Sequence, residues 1–438
     1  MEPGPTQRMQ KGFMLQSRMA LFLLWICLGS VRLCAGQSTL IEAPLPQWLS
    51  RRERQRGPTV PPPQETQSKE PLDTPSQKLR YPTTAFSGQA YLRPEFDDHK
   101  AVLMAWTGYE AFANLIVAVA QAIASEDVEI WLIGGGPTLQ GVPNDLYVSL
   151  DYPYNSVWVR DFGPLGIHRT PIQGPSQSPS MSLTPALAFS DAPSSVPSES
   201  PNQKTEVLEF VDPVYPLAPW RPLDDAIPCH VANAENVACQ STTLVFDGGN
   251  IMTDGQMNLF MTKVTYTWNP EMTTEEVDDA LKEIFGVQIV HAIDYAVLDN
   301  GAPADGTGHI DMFAKLLDPR TVIISETTDP IFQPVMDSAA SYFESMRCGR
   351  RKCFTVYRVP GWSMPSYYGL VWYSYTNSLI VGNSILVPGY SGGNDAAVMA
   401  IYQTAAPDKN ITIINSDGVI GFGGSIHCLT MQIPVDPF

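Results

Sequence analysis

VLMAW at 102–106, EAFANLIVAVAQAIAS at 110–125 and EIWLI at 129–133 follow one another closely. The outer two are short, apolar and rich in β-branched and aromatic residues, which predicts strands; the middle one repeats its apolar residues at helical spacing. The same alternation continues downstream. Thr273–Phe285 opens with a Thr273/Glu276 capping box, and Gln333–Met346 and Asp395–Ala405 read as further helices. SVWVR (156–160), TTLVF (242–246), NLFMT (258–262), HIDMFAKLL (309–317), TVIIS (321–325), LVWYSYTNSLIV (370–381) and DGVIGF (417–422) read as strands bounded by Gly, Asn, Asp or Pro. No fixed-period repeat is visible. Strand groups separated by about one helix per 60 to 90 residues predict an α/β domain of loosely repeated units.

With 44% hydrophobic and only 16% charged residues over 438 positions, the chain is too apolar for a disordered protein. Its charge is uneven: residues 1–80 carry 11 Lys and Arg against 6 Asp and Glu, leaving 16 against 39 and a net charge of −23 on the rest. Such a body repels nucleic acid and attracts cationic partners. MALFLLWICLGSV at 19–31, preceded by Lys11 and Arg18 and followed by Cys34-Ala35-Gly36, has the order of a secretory signal peptide and is short for a membrane span. Residues 1–36 are therefore expected to be an export signal with no stable membrane insertion, starting at Met1, Met14 or Met19. The protein is expected to be secreted, periplasmic or held at the cell surface.

Residues 37–84 are proline-rich and carry a basic cluster at Arg51, Arg52, Arg54 and Arg56, which reads as a propeptide or linker with no chemistry assigned. The domain proper is expected at 85–438, with a surface insertion at 171–203, where seven Pro and nine Ser fall in 33 residues. Export makes disulfides admissible. Past the leader stand Cys229 and Cys239, Cys348 and Cys353, two close pairs expected to be bridged, and Cys428, the odd thiol expected to be reactive.

Four sites display polar residues beside Gly or Pro turns: Trp158-Val-Arg160-Asp161-Phe-Gly-Pro, Phe246-Asp247-Gly248-Gly249-Asn250, Gly308-His309-Ile310-Asp311 and Gly423-Gly424-Ser425-Ile426-His427-Cys428. Each also has a plain structural reading: Asp161 paired with Arg160, Asp247 in an Asx-turn, His309 as a hydrogen-bonded core residue, Gly423-Gly424 as a tight turn. His309 and Asp311 share a face if they lie on a strand. His-x-Asp also suits a metal, but no second His or Cys cluster has ligand spacing, so no metal site is assigned. A thiol, a histidine and several carboxylates suit a planar cation such as guanidinium better than an oxyanion, because the carboxylates match its N–H fork and repel developing negative charge.

WVRDFGP, FDGGN, GTGHIDM, SYTNSLIVGNSILVP and GFGGSIHCLTMQIP, in this order between about 85 and 434, resemble the agmatine deiminase and bacterial (Porphyromonas-type) peptidyl-arginine deiminase family of the guanidino-group modifying superfamily. Export, DGGNIMTDG and RPLDD at 221–225 look closer to the peptidyl-arginine branch. The resemblance implies an α/β fold of the pentein type, a five-bladed propeller with pseudo-five-fold symmetry and its site on the axis. It implies Cys428 as nucleophile, His309 as general acid/base, Asp161 and Asp311 as guanidinium-gripping carboxylates, and Asn377 as support for the cysteine and histidine. Asp247 stands where agmatine deiminases tend to have Glu; it is expected to bind substrate together with Trp158 and Arg160. Arg160, Arg169 and Arg221 are the candidates for holding a peptide backbone or a terminal carboxylate. No redox cofactor is expected, and a structural calcium or sodium ion has no assignable position. The expected partner is an arginine-containing peptide or protein, or a small guanidino compound, converted to a ureido product (citrulline from arginine) and ammonia. The alternatives are agmatine deimination to N-carbamoylputrescine, a thiol protease or amidinotransferase, or an inactive binding module.

Overall fold

The computed structural model describes residues 43–58, 89–170, 206–366 and 369–436. The signal sequence and the 171–203 insertion lie outside the described residues. The main body begins at Ala43, so part of the segment read as propeptide or linker belongs to it.

Five sheets are built on one plan: two antiparallel strands, a helix, and a third strand returning parallel to the second. In unit 2, 165–170 pairs antiparallel with 207–214, and 238–245 returns parallel after the helix Ile227–Glu235. Unit 3 uses 252–253, 258–262, the helix Thr274–Phe285 and 289–293. Unit 4 uses 314–318, 321–326, the helix Gln333–Ser345 and 355–366. Unit 5 uses 379–381, 384–389, the helix Asp395–Ala405 and 410–415. Unit 1 takes its first strand from the far end of the chain: Met431–Pro434 lies antiparallel to His99–Ala105, which pairs in parallel with Glu129–Ile133 after the helix Glu110–Ala124. Five units, the first closed by the last strand, make the five-bladed α/β propeller.

The middle strands are covered on both faces and read as continuous apolar runs, as parallel strands between layers do. Residues 101–105 are at most 2% exposed, and Asn258–Thr262 are all buried. The helix Glu110–Ala124 buries Phe112, Leu115, Ile116, Val119, Ala120 and Ile123, which is the stripe its periodicity predicts. Cys229–Cys239 and Cys348–Cys353 are bridged, and Cys428 is the free cysteine among the described residues.

Four expected strands are different. SVWVR and DGVIGF give way to short helices at Val159–Phe162 and Asp417–Ile420, and HIDM forms a single 3₁₀ turn before the strand at Ala314. LVWYSYTNSLIV is two strands, 369–374 and 379–381, broken around Asn377. His309 and Asp311 therefore do not share a strand face. These segments are buried, and burial alone made them look like strands; the turns occur where the chain bends into each unit.

Gly286 ends the unit 3 helix at φ +70°, and a Cβ there would lie 1.9 Å from the Ala90 carbonyl oxygen. Gly286→Ala is expected to cost at least about 2 kcal/mol, since it adds left-handed backbone strain to a backbone clash; denaturant unfolding measures it. In a chain beginning after residue 36, titration of the denatured, unreduced protein is expected to find one thiol, Cys428, and five equivalents would refute both bridges.

Candidate active site

Each unit is entered through a tight turn, and the five turns meet at the centre. Asp161 precedes unit 2, Asp247–Asn250 unit 3, His309–Asp311 unit 4, Asn377 unit 5 and Cys428 unit 1, each within five residues of its strand. The polar residues therefore stand at strand entrances.

Buried hydrogen bonds and close packing stitch the turns into a ring. Asn250 accepts from the backbone N–H of Ile310 at 3.0 Å. Asn377 donates to Asp311 Oδ2 at 3.2 Å and to Cys428 Sγ at 3.1 Å, and its carbonyl oxygen accepts from the N–H of Ser425 and of Cys428. Arg160 Nε donates to the His427 carbonyl at 3.4 Å. Gly248 packs so tightly on the Arg160 carbonyl that a Cβ would sit 2.3 Å from it, and a Cβ on Gly249 would lie 2.6 Å from His309 Nδ1 and 2.7 Å from Asp161 Oδ1. The Gly-Gly pair is what lets the second and third turns close on the site.

Inside the ring, His309 Nε2 lies 2.9 Å from Asp247 Oδ2, and its Nδ1 lies 3.6 Å from Asp161 Oδ1. Asp311 Oδ2 lies 2.7 Å from His427 Nδ1, whose Nε2 meets Glu95 Oε2 at 2.8 Å; Glu95 in turn pairs with Lys315. Cys428 Sγ lies 3.7 Å from Asp311 Oδ2. Three carboxylate oxygens, Oδ1 of Asp161, Asp247 and Asp311, are buried without a hydrogen-bond donor among the described residues, and His309 Nδ1, 3.6 Å from Asp161, makes no hydrogen bond there either.

The electrostatics follow from too little positive charge in a dry place. Burial, only partly offset by His309 and reinforced by Asp247, pushes Asp161 up to about 8. Burial pulls His309 down, but Asp247 and Asp161 outweigh it and carry it up to about 10. Burial and the charges of Asp311 and Asp161 push the Cys428 thiol well up, against the opposing hydrogen bond from Asn377. Asp311 moves the other way: burial would raise it, but the hydrogen bond and charge of His427 hold it below the usual carboxylate range.

The structure thus brings Cys428, His309, Asp161, Asp311, Asp247 and Asn377 together. Asn377 touches Cys428 and Asp311, and no hydrogen bond joins it to His309. Arg160 is corrected: its guanidinium turns away from the site to Met431 Sδ and the Gln432 side chain, and it serves as a brace between units rather than as a substrate ligand. Asp161 is accordingly free of the expected Arg160 pairing, and Asp247 caps no Asx-turn. Trp158 is fully buried, its indole beside Gly424 and its Nε1 donating to Leu45 O, so it walls the nucleophile's loop. Arg169 is tied to Glu209 at 2.8 Å. Sequence reading missed His427, Glu95, Lys315 and Gln47. Gln47 lies in the segment given no chemistry, yet its Nε2 donates to Asp161 Oδ2 at 3.0 Å and to Cys428 Sγ at 3.4 Å. The HC of IHC could have drawn notice to His427; nothing local marks Gln47. A cleft of about 330 Å³, lined by Asp161, Asp247, His309, Trp268 and Tyr215, opens beside Gln47. Asp161, Asp247 and His309 present ligand atoms within 4.8 Å of one another.

The fold has counterparts among solved structures. An agmatine deiminase of Enterococcus faecalis superposes with a TM-score of 0.62 at 20% identity, covering 80% of this chain and 98% of the other. One from C. jejuni gives 0.61 at 16% identity, covering 80% and 98%. The architecture is that of the pentein α/β propellers. The family model for Porphyromonas-type peptidyl-arginine deiminase matches residues 91–434, and the chain belongs to that family. An agmatine deiminase of Pseudomonas fluorescens is 27% identical over 245 residues, covering 50% of this chain and 64% of the relative, so the match spans less than two thirds of that protein's length.

A cation that occupies the ring must displace the proton from Asp161. Its affinity is therefore expected to rise with pH up to about 8 and to fall as pH drops below that value. Calorimetry of an arginine amide on Cys428→Ala across about pH 6 to 9 reads this dependence; Asp161→Asn is expected to flatten it, and a flat profile in the parent would refute the ionisation assigned to Asp161.

Proposed function

We propose that the protein is a deiminase that hydrolyses a guanidinium to a ureido group and ammonia, with peptidyl arginine as its preferred substrate. The observation that carries this reading is the set of buried, donor-less oxygens on Asp161, Asp247 and Asp311 around a free thiol. A guanidinium brings five N–H donors in a plane and a full positive charge, which is what those oxygens lack.

In this mechanism Asp161 and Asp311 grip the guanidinium. The cation's charge draws the Cys428 thiol to thiolate, its proton passing to bulk water; burial and the neighbouring carboxylates disfavour that ionisation in the cation's absence. The thiolate sulfur bonds to the guanidinium carbon. His309, held by Asp247 and carrying a proton, delivers it to the departing nitrogen, and ammonia leaves with the C–N bond electrons. The remaining amidino thioether is attacked by water, whose proton His309 takes up. The C–S bond then breaks, releasing the ureido product and the cysteine. Asn377 positions Cys428 by donating from its side-chain nitrogen to Sγ and accepting the Cys428 backbone N–H with its side-chain oxygen. This sequence uses no redox cofactor.

The family description and the disulfides, which suit an oxidising compartment, support an exported enzyme acting on peptides. The similarity to agmatine deiminases favours agmatine as the second reading. A panel of agmatine, free arginine and peptides with internal or C-terminal arginine decides between them: a much higher kcat/KM for agmatine than for any peptide would overturn the peptide preference. Cys428→Ser is expected to abolish ureido product while keeping the fold, because a serine hydroxyl here has no base strong enough to ionise it. Asp311→Asn is expected to lower kcat/KM roughly 10- to 100-fold, the size of a lost charge-assisted hydrogen bond. Retained turnover in Cys428→Ser would remove the nucleophile assignment.

A further inference from the structure

In residues 45–49, LPQWL, Gln47, Trp48 and Leu49 line the cleft of the site beside Asp161, Asp247 and His309, and the chain continues on both sides of the segment. Gln47 is 3% exposed and points into the ring, where its amide N–H₂ reaches both Asp161 and Cys428. On either side the backbone is held by groups of the body. Trp158 Nε1 donates to Leu45 O at 2.8 Å, and Arg221 Nη2 donates to Pro46 O at 2.7 Å and to Trp48 O at 3.1 Å. The N–H of Gln47 donates to Phe422 O at 2.9 Å. The Trp48 ring lies on Gly306 and Gly423, where a Cβ would come within 2.5 and 2.4 Å of it. Glu53 anchors the segment. It closes a capping box with Ser50 on the short helix Arg51–Arg56 and meets fully buried Arg221 through two contacts, at 2.8 and 3.2 Å.

We propose that this segment is a built-in pseudosubstrate: it occupies the groove in which an arginine internal to a polypeptide is presented to Cys428, with Gln47 in the arginine's place and Arg221 holding the flanking carbonyls. The proposal rests on the deiminase reading above. The groove grips main-chain groups on both sides of the inserted residue, so it fits a chain that passes through rather than one that ends there. Glutamine is a poor guest. It is neutral, its side chain is two bonds shorter than arginine's, its own Oε1 is buried without a partner, and it leaves Oδ1 of Asp161 and of Asp247 unpaired. An arginine would satisfy these atoms, so a substrate chain gains in the ring what the resident segment cannot supply.

The test follows the thiol and position 47 in the full chain. Cys428 is expected to react with iodoacetamide at least about tenfold faster in Gln47→Ala than in the parent, the ratio set by loss of a charge-assisted contact. Gln47→Leu, which keeps the volume without the donor, serves if the alanine variant does not fold. In Gln47→Arg the new side chain is expected to become a ureido group at a rate independent of protein concentration, read by mass spectrometry, and to stay unchanged when Cys428→Ala is added. Equal labelling of the parent and a folded Gln47 variant would overturn the pseudosubstrate, as would an unconverted position 47 in Gln47→Arg protein that still turns over free peptides. A failure of the deiminase reading looks different: no ureido product from position 47 or from any guanidino compound, which would overturn the chemistry and the arginine assignment together.

Discussion

A buried carboxamide holds the centre of this protein in register. Asn377 binds the backbone of the Cys428 turn through its oxygen and reaches Asp311 and the thiol through its nitrogen, so three of the five turns are fixed against one another by a single side chain. Asn250 performs the related task between the third and fourth turns. A buried amide satisfied on both sides tolerates little displacement, because each lost contact strands a polar group away from water at about 1 to 3 kcal/mol. The placement of thiol, histidine and carboxylates inherits its accuracy from these contacts.

The same centre is short of positive charge. Asp311 is compensated by His427, and Glu95 by His427 and Lys315, so the lower part of the network is neutralised within the fold. Asp161 and Asp247 share His309 alone, which leaves the upper part waiting for a cation. The division explains why Asp311 is held below the usual carboxylate range while Asp161 is pushed above it. The acidic body adds a long-range attraction of the same sign.

Much of this was legible in the sequence and some was not. Helices such as Glu110–Ala124 and Thr274–Phe285 announced themselves because one face meets a sheet and a capping box marks an end. Cys428, His309, Asp161, Asp247, Asp311 and Asn377 were recognisable from ordered motifs with Gly or Asn beside them. The turns holding His309, Asp311 and Asn377 were read as strands, because buried turns at the heart of a ring are as apolar as strands. Arg160 was misplaced because adjacency to Asp161 says nothing about the direction of its side chain, which points to the opposite side of the turn. Gln47 was invisible: a lone glutamine in a proline-rich stretch acquires meaning only through contacts 114 and 381 residues away.

The strand Met431–Pro434 completes the first blade against His99–Ala105, and the nucleophile stands three residues before it. Ring closure and assembly of the site are therefore one event. A ribosome must release more than three hundred residues after the first blade's inner strand before that strand finds its partner, and such a long-range pairing is slow to form. Until it does, the thiol lacks His309 and the carboxylates that the closed ring sets beside it. The topology thus works as a timing device, withholding the assembled site until the circle is shut.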